Sequence, residues 1–312
     1  MTQNFQGKIA ILIPCYNEEA AIAQTVAGFR TALPQAEVYV YDNNSKDRTV
    51  EVARAAGAIV RSEPLQGKGS VVRRMFADIE ADYYIMADGD ATYDAAVAPQ
   101  LLQKLIDENL DMVNGARVTE IQAAYRKGHR FGNWLLTSLV ANIFGKRFSD
   151  MLSGYRVFSR RFVKSFPALS QGFETETELT VHALQLRLPV GEVATSYKDR
   201  PVGSVSKLNT YRDGFRILML IVRLVKEELP LKFFGLGALF LALVALCIGI
   251  PVVADYFHTG LVVQFPRAFL AASLMVIAMV SLACGLILET VTKGRVELKR
   301  MAYLTYRAPG NR

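Results

Sequence analysis

Tyr84-Ile85-Met86-Ala87-Asp88-Gly89-Asp90 is an apolar run that ends in two carboxylates separated by a glycine. Such a run reads as a buried strand of a parallel sheet. Asp88 and Asp90, on an irregular strand end, can converge on one hard cation, and Gly89 lets the backbone turn tightly between them. Mg²⁺ and Mn²⁺ prefer oxygen ligands, and in phosphate enzymes they are held by one or two carboxylates plus substrate phosphates. The stretch therefore reads as a metal-diphosphate site at the carboxyl edge of a sheet, or as a solvated acidic turn. The neighbouring chain has to separate the two.

The segments before it alternate strand and helix. Lys8–Pro14 is an apolar strand closed by proline. Asn17 reads as the N-cap of a helix over residues 18–32. Glu37–Tyr41 is a second strand ending at Asp42, followed by a helix over 49–56, a short strand over 58–60 and a helix over 71–81. Short links between alternating elements argue for a parallel α/β sheet. After the acidic pair come a helix over 98–109 and a strand over 111–115, with Ala116-Arg117 at its carboxyl end. Asp42, Asp88, Asp90 and Arg117 thus all fall at predicted strand ends, the edge where ligands of open α/β sheets gather. No G-x-G-x-x-G follows the first strand. Gly67-Lys68 is like the end of a phosphate-binding P-loop, but Ser62 stands where that motif needs glycine. Lys68 can still meet a phosphate from a helix N-terminus. Glu174 and Glu176 read as acids capping a helix over 179–186.

The rest of the chain is organised by the membrane. The 312 residues carry a net charge of +7 and 51% hydrophobic residues. Phe233–Val253 and Ala268–Leu288 contain no charged residue and are long enough to span a bilayer. Residues 209–229 form a basic amphipathic stretch suited to a membrane surface, and Pro230 ends it. The basic cluster Tyr125–Arg130 precedes an apolar helix over 131–144 that contains Trp134; it reads as a membrane-surface element or as a core helix. The connector 254–266 has no lysine or arginine, whereas the tail after Glu289 has several. The positive-inside rule then puts the tail and the N-terminal domain in the cytoplasm. Anionic lipid explains the charge better than nucleic acid, for which no motif appears. Cys15, Cys247 and Cys284 show neither a disulfide framework nor zinc spacing. The expected division is a catalytic domain over 1–207, a juxtamembrane helix over 208–230, a transmembrane hairpin over 231–290 and a basic tail over 291–312.

Several short motifs occur in order: Ile13-Pro14-Cys15-Tyr16-Asn17-Glu18-Glu19, Asp42-Asn43-Asn44-Ser45, Gly67-Lys68-Gly69 and Asp88-Gly89-Asp90. Gly115-Ala116-Arg117, Asp150 with Ser153-Gly154-Tyr155-Arg156, and Arg200 with Ser206-Lys207 follow. Together they resemble the family 2 glycosyltransferases, in the branch of polyprenyl-phosphate glycosyltransferases and dolichyl-phosphate mannose synthases. The resemblance runs through the first 207 residues, and the terminal hairpin is similar to that of one subgroup. It implies a GT-A fold, a mostly parallel sheet flanked by helices. It also implies that Pro14, Tyr16, Glu18 and Asp42 hold the base and ribose of a UDP- or GDP-sugar, with Asn17, Asn44, Lys68, Asp88 and Gly89 completing the donor site. Asp88 and Asp90 would bind Mg²⁺ or Mn²⁺. Arg117, Arg130, Arg200, Ser206 and Lys207 would clamp the phosphates of donor and lipid. Asp90, Arg117 and Asp150 are the expected catalytic residues, Asp150 as base or orienter. Thr92 departs from the pattern: some members carry a glutamine there as a further metal ligand.

The implied reaction moves one sugar from the nucleotide to undecaprenyl or dolichyl phosphate, with inversion at the anomeric carbon, in a multi-pass membrane protein whose catalytic domain is cytoplasmic. A homo-oligomer is left open. One rival is a processive polysaccharide synthase of the same fold, but its Gln-x-x-Arg-Trp motif is absent, since the only tryptophan follows Asn133. The other is a membrane transporter or scaffold with a cytosolic regulatory domain. Against it, the two apolar blocks lack the polar breaks usual in transporters.

Overall fold

The computed structural model describes residues 5–118, 148–170, 172, 174–198, 219–220 and 222–308, with the single positions 138, 140 and 201. The chain divides into two units, Met1–Ile217 with Leu298–Arg312, and Leu218–Glu297.

In the first unit the strands are β1 (Ile9–Cys15), β2 (Glu37–Asp42), β3 (Ile59–Ser62), β4 (Tyr83–Met86), β5 (Met112–Val118), β6 (Arg156–Ser159) and β7 (Val190–Ser196). The helices are α1 (Ile22–Ala32), α2 (Thr49–Ala55), α3 (Lys68–Asp78), α4 (Ala98–Asp107), α5 (Arg160–Ser165) and α6 (Thr175–Gln185). One sheet runs in the order β3-β2-β1-β4-β6-β5-β7. All neighbours are parallel except β6, which is antiparallel to both β4 and β5. Ile9, Ile11 and Ile13 pack against Ile22, Val26 and Phe29 of α1 and Leu101 and Leu105 of α4. Helices α3, α5 and α6 pack together elsewhere on the sheet. Coverage on both faces is why β1 and β4 are apolar throughout rather than alternating.

Some expectations shift. Asn17 does not cap α1, which begins at Ile22 after Ala21; it adopts φ 52° in the preceding loop instead. Helix α6 starts at Thr175, so Glu176 lies in its first turn. Strand β5 continues to Val118, which puts Arg117 inside the strand rather than beyond it. Of the expected helix 131–144 only positions 138 and 140 are described, both helical; Arg130, Arg200, Ser206 and Lys207 lie outside the described residues.

The antiparallel β6 matters most for the site. Its first residue, Arg156, pairs with Met86 at the end of β4 and with Asn114 of β5. The loop 150–155 therefore arrives at the edge just past β4, where Asp88 lies. The C-terminal residues also belong to this unit. Tyr303 Oη donates to Asp111 Oδ2 at 2.8 Å, and the Arg161 guanidinium lies 4.8 Å above the Tyr303 ring.

The second unit holds helical residues 222–228, then α7 (Pro230–Thr259) and α8 up to Glu297, from the helix Phe265–Leu304. Pro230 opens α7, a position where its missing N–H costs nothing. Both helices are long and apolar enough to cross a membrane. Beyond Pro230 at the start of α7, their buried residues recur every seventh position: Ala238, Ala245 and Val252 on α7, and Ala271, Ala278 and Gly285 on α8. Small side chains at a heptad period allow close, slightly supercoiled packing of two helices. Leu239, Phe240, Leu243 and Ile250 stay exposed, as lipid-facing residues would.

Candidate active site

The loops after β1 and β2 are stitched together by polar contacts. Asn17 donates its N–H to Ser45 Oγ at 2.8 Å and accepts from the Lys46 N–H at 2.7 Å. The Glu18 N–H donates to Thr49 Oγ1 at 2.8 Å. Asp42 ends β2 and accepts from the Ser45 N–H. Pro14, Tyr16, Asn17 and Glu18 are half-buried along this seam. Asn44 turns away from it, donating to the Pro64 carbonyl. Asn43 is the more central residue: it donates to the carbonyls of Glu63 and Leu65 and accepts from the Gly67 N–H at 2.7 Å. It thereby fixes the entry to α3, where Lys68 is the first helical residue.

Lys68 Nζ lies 2.5 Å from Asp88 Oδ1 and also pairs with Glu176. Burial alone would lower the Lys68 pKa, but the two carboxylates outweigh it and hold the group above the usual lysine range. Asp90 is buried and accepts from the Thr92 hydroxyl at 2.6 Å and from the Thr92 N–H at 3.2 Å. Thr92 thus orients Asp90 through its hydroxyl proton. Gly154 lies against Asp88, and a Cβ there would sit 2.6 Å from Oδ2. Its N–H donates to Tyr93 Oη at 2.8 Å.

Arg117 of β5 and Asp150 of the loop before β6 form a second cluster. Asp150 is 7% exposed. Burial pushes its carboxyl up, yet the Arg117 guanidinium prevails and holds it below the usual range. Arg117 also lies 5.5 Å over the Tyr197 ring. The Asp150 loop is anchored beneath by Arg156, which is fully buried and donates to the carbonyls of Met151 and Ser153 and to Thr180 Oγ1. Burial pushes the Arg156 pKa down to about 10. Glu192 of β7 accepts from the N–H groups of Ser149 and Asp150.

Among the described residues no three His, Cys, Asp or Glu side chains form a metal cage. Two carboxylates at a strand end fit a hard cation that completes its shell on a substrate diphosphate. The ammonium already paired with Asp88 shows that this edge favours positive charge. The structure thus gathers Asp88 and Asp90 just past the end of β4 with Lys68 from the start of α3, and pairs Arg117 of β5 with Asp150 in the loop before β6. Glu176, Tyr93 and Thr92 belong to these clusters and were not assigned from the sequence. An acid in a first helical turn reads as a capping charge, which hid Glu176.

Residues 10–166 match the model of glycosyl transferase family 2. Glycosyltransferase AglJ of Haloferax volcanii is 38% identical over 229 residues, covering 73% of this chain and 75% of that protein. The dolichyl-phosphate hexose transferase of the same organism is 28% identical over 229 residues, covering 73% and 98%. Glucosyl-3-phosphoglycerate synthase of M. tuberculosis, crystallised with Mn²⁺, UDP and glucosyl-3-phosphoglycerate, superposes with a TM-score of 0.55. It is 24% identical and covers 69% of this chain and 80% of that one.

Proposed function

The chain belongs to glycosyl transferase family 2 and has the GT-A fold, and from that premise we propose that it transfers one sugar from a nucleoside-diphosphate sugar to a polyprenyl phosphate at a membrane surface. The carrying observation is the Asp88–Asp90 pair with Lys68 at the carboxyl edge of β4. Two apolar helices and the dolichyl-phosphate hexose transferase relative support a lipid acceptor. The Mn²⁺ in the mycobacterial neighbour supports a divalent cation.

In this reading an oxygen of the acceptor phosphate attacks the anomeric carbon, the bond to the diphosphate breaks, and the configuration inverts. Asp88 and Asp90 hold the cation, which offsets charge developing on the departing diphosphate. Lys68 adds a second positive charge from the start of α3. Arg117 faces the acceptor phosphate, and Asp150 holds its guanidinium in place. The acceptor is already anionic, so no strong base is required. The β1 and β2 loops hold the base and ribose, and the catalytic domain is cytoplasmic. Arg130, Arg200, Ser206 and Lys207 complete the phosphate clamp.

The test supplies membranes containing the chain with UDP- and GDP-sugars and polyprenyl phosphate, and analyses the lipid product. A singly glycosylated polyprenyl phosphate is expected, with none from Asp90→Ala. Transfer only to a growing polysaccharide, or no lipid product with any donor, overturns the reading.

A further inference from the structure

We propose that Glu176 is a positioning residue of the donor site: it holds the Lys68 ammonium beside Asp88 and so sets how tightly Asp88 takes a divalent cation. This rests on the reading of Asp88 and Asp90 as a metal-diphosphate pair. Lys68, Asp88 and Glu176 come from three places, the first turn of α3, the loop just after β4 and the first turn of α6. Their side chains are 13%, 31% and 6% exposed. Asp88 and Glu176 thus both converge on Lys68, and Asp88 is the most open of the three.

The arrangement is fixed from behind. A Cβ at Gly69 would overlap the Ser170 carbonyl oxygen and lie 2.9 Å from Thr175 Oγ1. The start of α3 is therefore pressed against the start of α6, which only glycine allows. Ser170 is itself held by Glu178, through its N–H at 2.9 Å and its hydroxyl at 2.6 Å. The Glu176 carbonyl accepts from Thr180 Oγ1, which in turn receives Arg156. The carboxylate of Glu176 is thus delivered by a braced backbone.

Charge accounting gives the direction of the effect. Asp88, Glu176 and Lys68 together carry one net negative charge, which favours a divalent cation. Neutralising Glu176 removes that charge and leaves the whole ammonium to Asp88, where it competes with the metal. Both changes weaken cation binding.

The experiment uses the full chain in detergent. Mn²⁺ is titrated in the presence of UDP or GDP, whichever the wild type binds, and free Mn²⁺ is read by electron paramagnetic resonance. Glu176→Gln is expected to raise the Mn²⁺ dissociation constant at least about tenfold, because a nearby negative charge is lost beside a divalent cation. An unchanged dissociation constant in the folded variant overturns the inference while leaving the metal site standing. If Glu176→Gln does not fold, Glu176→Asp replaces it; shorter by one methylene, it should bind Mn²⁺ more weakly than the wild type, and unchanged binding again overturns the inference. If the wild type binds no Mn²⁺ with either nucleotide, the metal-site reading falls and this inference falls with it.

Discussion

The guanidinium of Arg117 and the carboxylate of Asp150 meet in a two-pronged ion pair, Nε to Oδ2 at 2.6 Å and Nη2 to Oδ1 at 2.9 Å. Lysine cannot reproduce the planar fork. Arg117→Lys should lose about 1.5–3 kcal/mol of charge-assisted bonding, roughly a 10- to 100-fold fall in kcat/KM. Steady-state transfer kinetics check this, and a variant as fast as the wild type would remove the fork from the mechanism. The same pairing keeps Asp150 ionised at neutral pH and makes it a weak proton acceptor. Orienting Arg117 is therefore the role this geometry favours for it.

Thr92 and Asp90 are joined by a 2.6 Å bond in which the hydroxyl donates. Thr92→Val keeps the shape and removes the donor, at a cost of about 1 kcal/mol in the placement of Asp90. The metal concentration for half-maximal activity should rise about fivefold. Asp90→Ala should remove activity altogether while the protein stays folded in the membrane. Full activity of Asp90→Ala, or of the wild type in excess chelator, would defeat the metal site.

His182 gives the fold a specific acid sensitivity. It is buried between Phe162 and Phe166, its ring centroid 5.3 and 5.4 Å from theirs. Burial, with Lys299 as the lesser cause, pushes its pKa down to about 3. An unfolded histidine takes up a proton near pH 6.5, whereas the folded one stays neutral until about pH 3. Stability should therefore be level above pH 6.5 and decline below it, by about 2 kcal/mol at pH 5. Melting temperatures at pH 7.5 and pH 5 should differ more for the wild type than for His182→Leu. Equal differences would assign the acid sensitivity to other groups.

Arg200 follows β7 and precedes the stretch that leads to the apolar helices. If it holds the lipid phosphate, Arg200→Ala should raise the polyprenyl phosphate concentration needed for half-maximal rate, at roughly 1.5–3 kcal/mol. Donor binding, measured directly, should change much less. Loss of donor affinity alone would move Arg200 to the nucleotide side.

Local signals in the sequence carry the strand-helix alternation, because β1 and β4 are uninterrupted apolar runs, the first closing on Pro14-Cys15 and the second stopping just before Asp88. The acidic pair and Lys68 stand out for the same reason: each follows a boundary that short-range pattern marks. The reversed β6 is different. Arg156–Ser159 is four residues long, and its direction is set by pairing with Met86 and Asn114, far away in the chain. Glu176 was illegible for a related reason, since its partner Lys68 is 108 residues away. The Asn17 assignment failed because its side chain had a better partner across the loop, the Lys46 N–H.

Strand β6 also imposes an order on synthesis. At about 5–20 residues per second, β4 leaves the ribosome several seconds before its antiparallel neighbour exists. During that interval the β4 edge has no partner on that side, and unpaired strand edges invite association with other chains. The loops around Asp42 and Asn43 can close early, because all their partners lie upstream of Lys68. Asp88 meets Gly154, and Lys68 meets Glu176, only later. Asp111 receives the hydroxyl of Tyr303 last of all, after both apolar helices have been made. Nascent chains stalled before β6 therefore hold the closed loops around Asp42 and Asn43 beside an open sheet, and those stalled before residue 303 lack the bond from Tyr303 to Asp111.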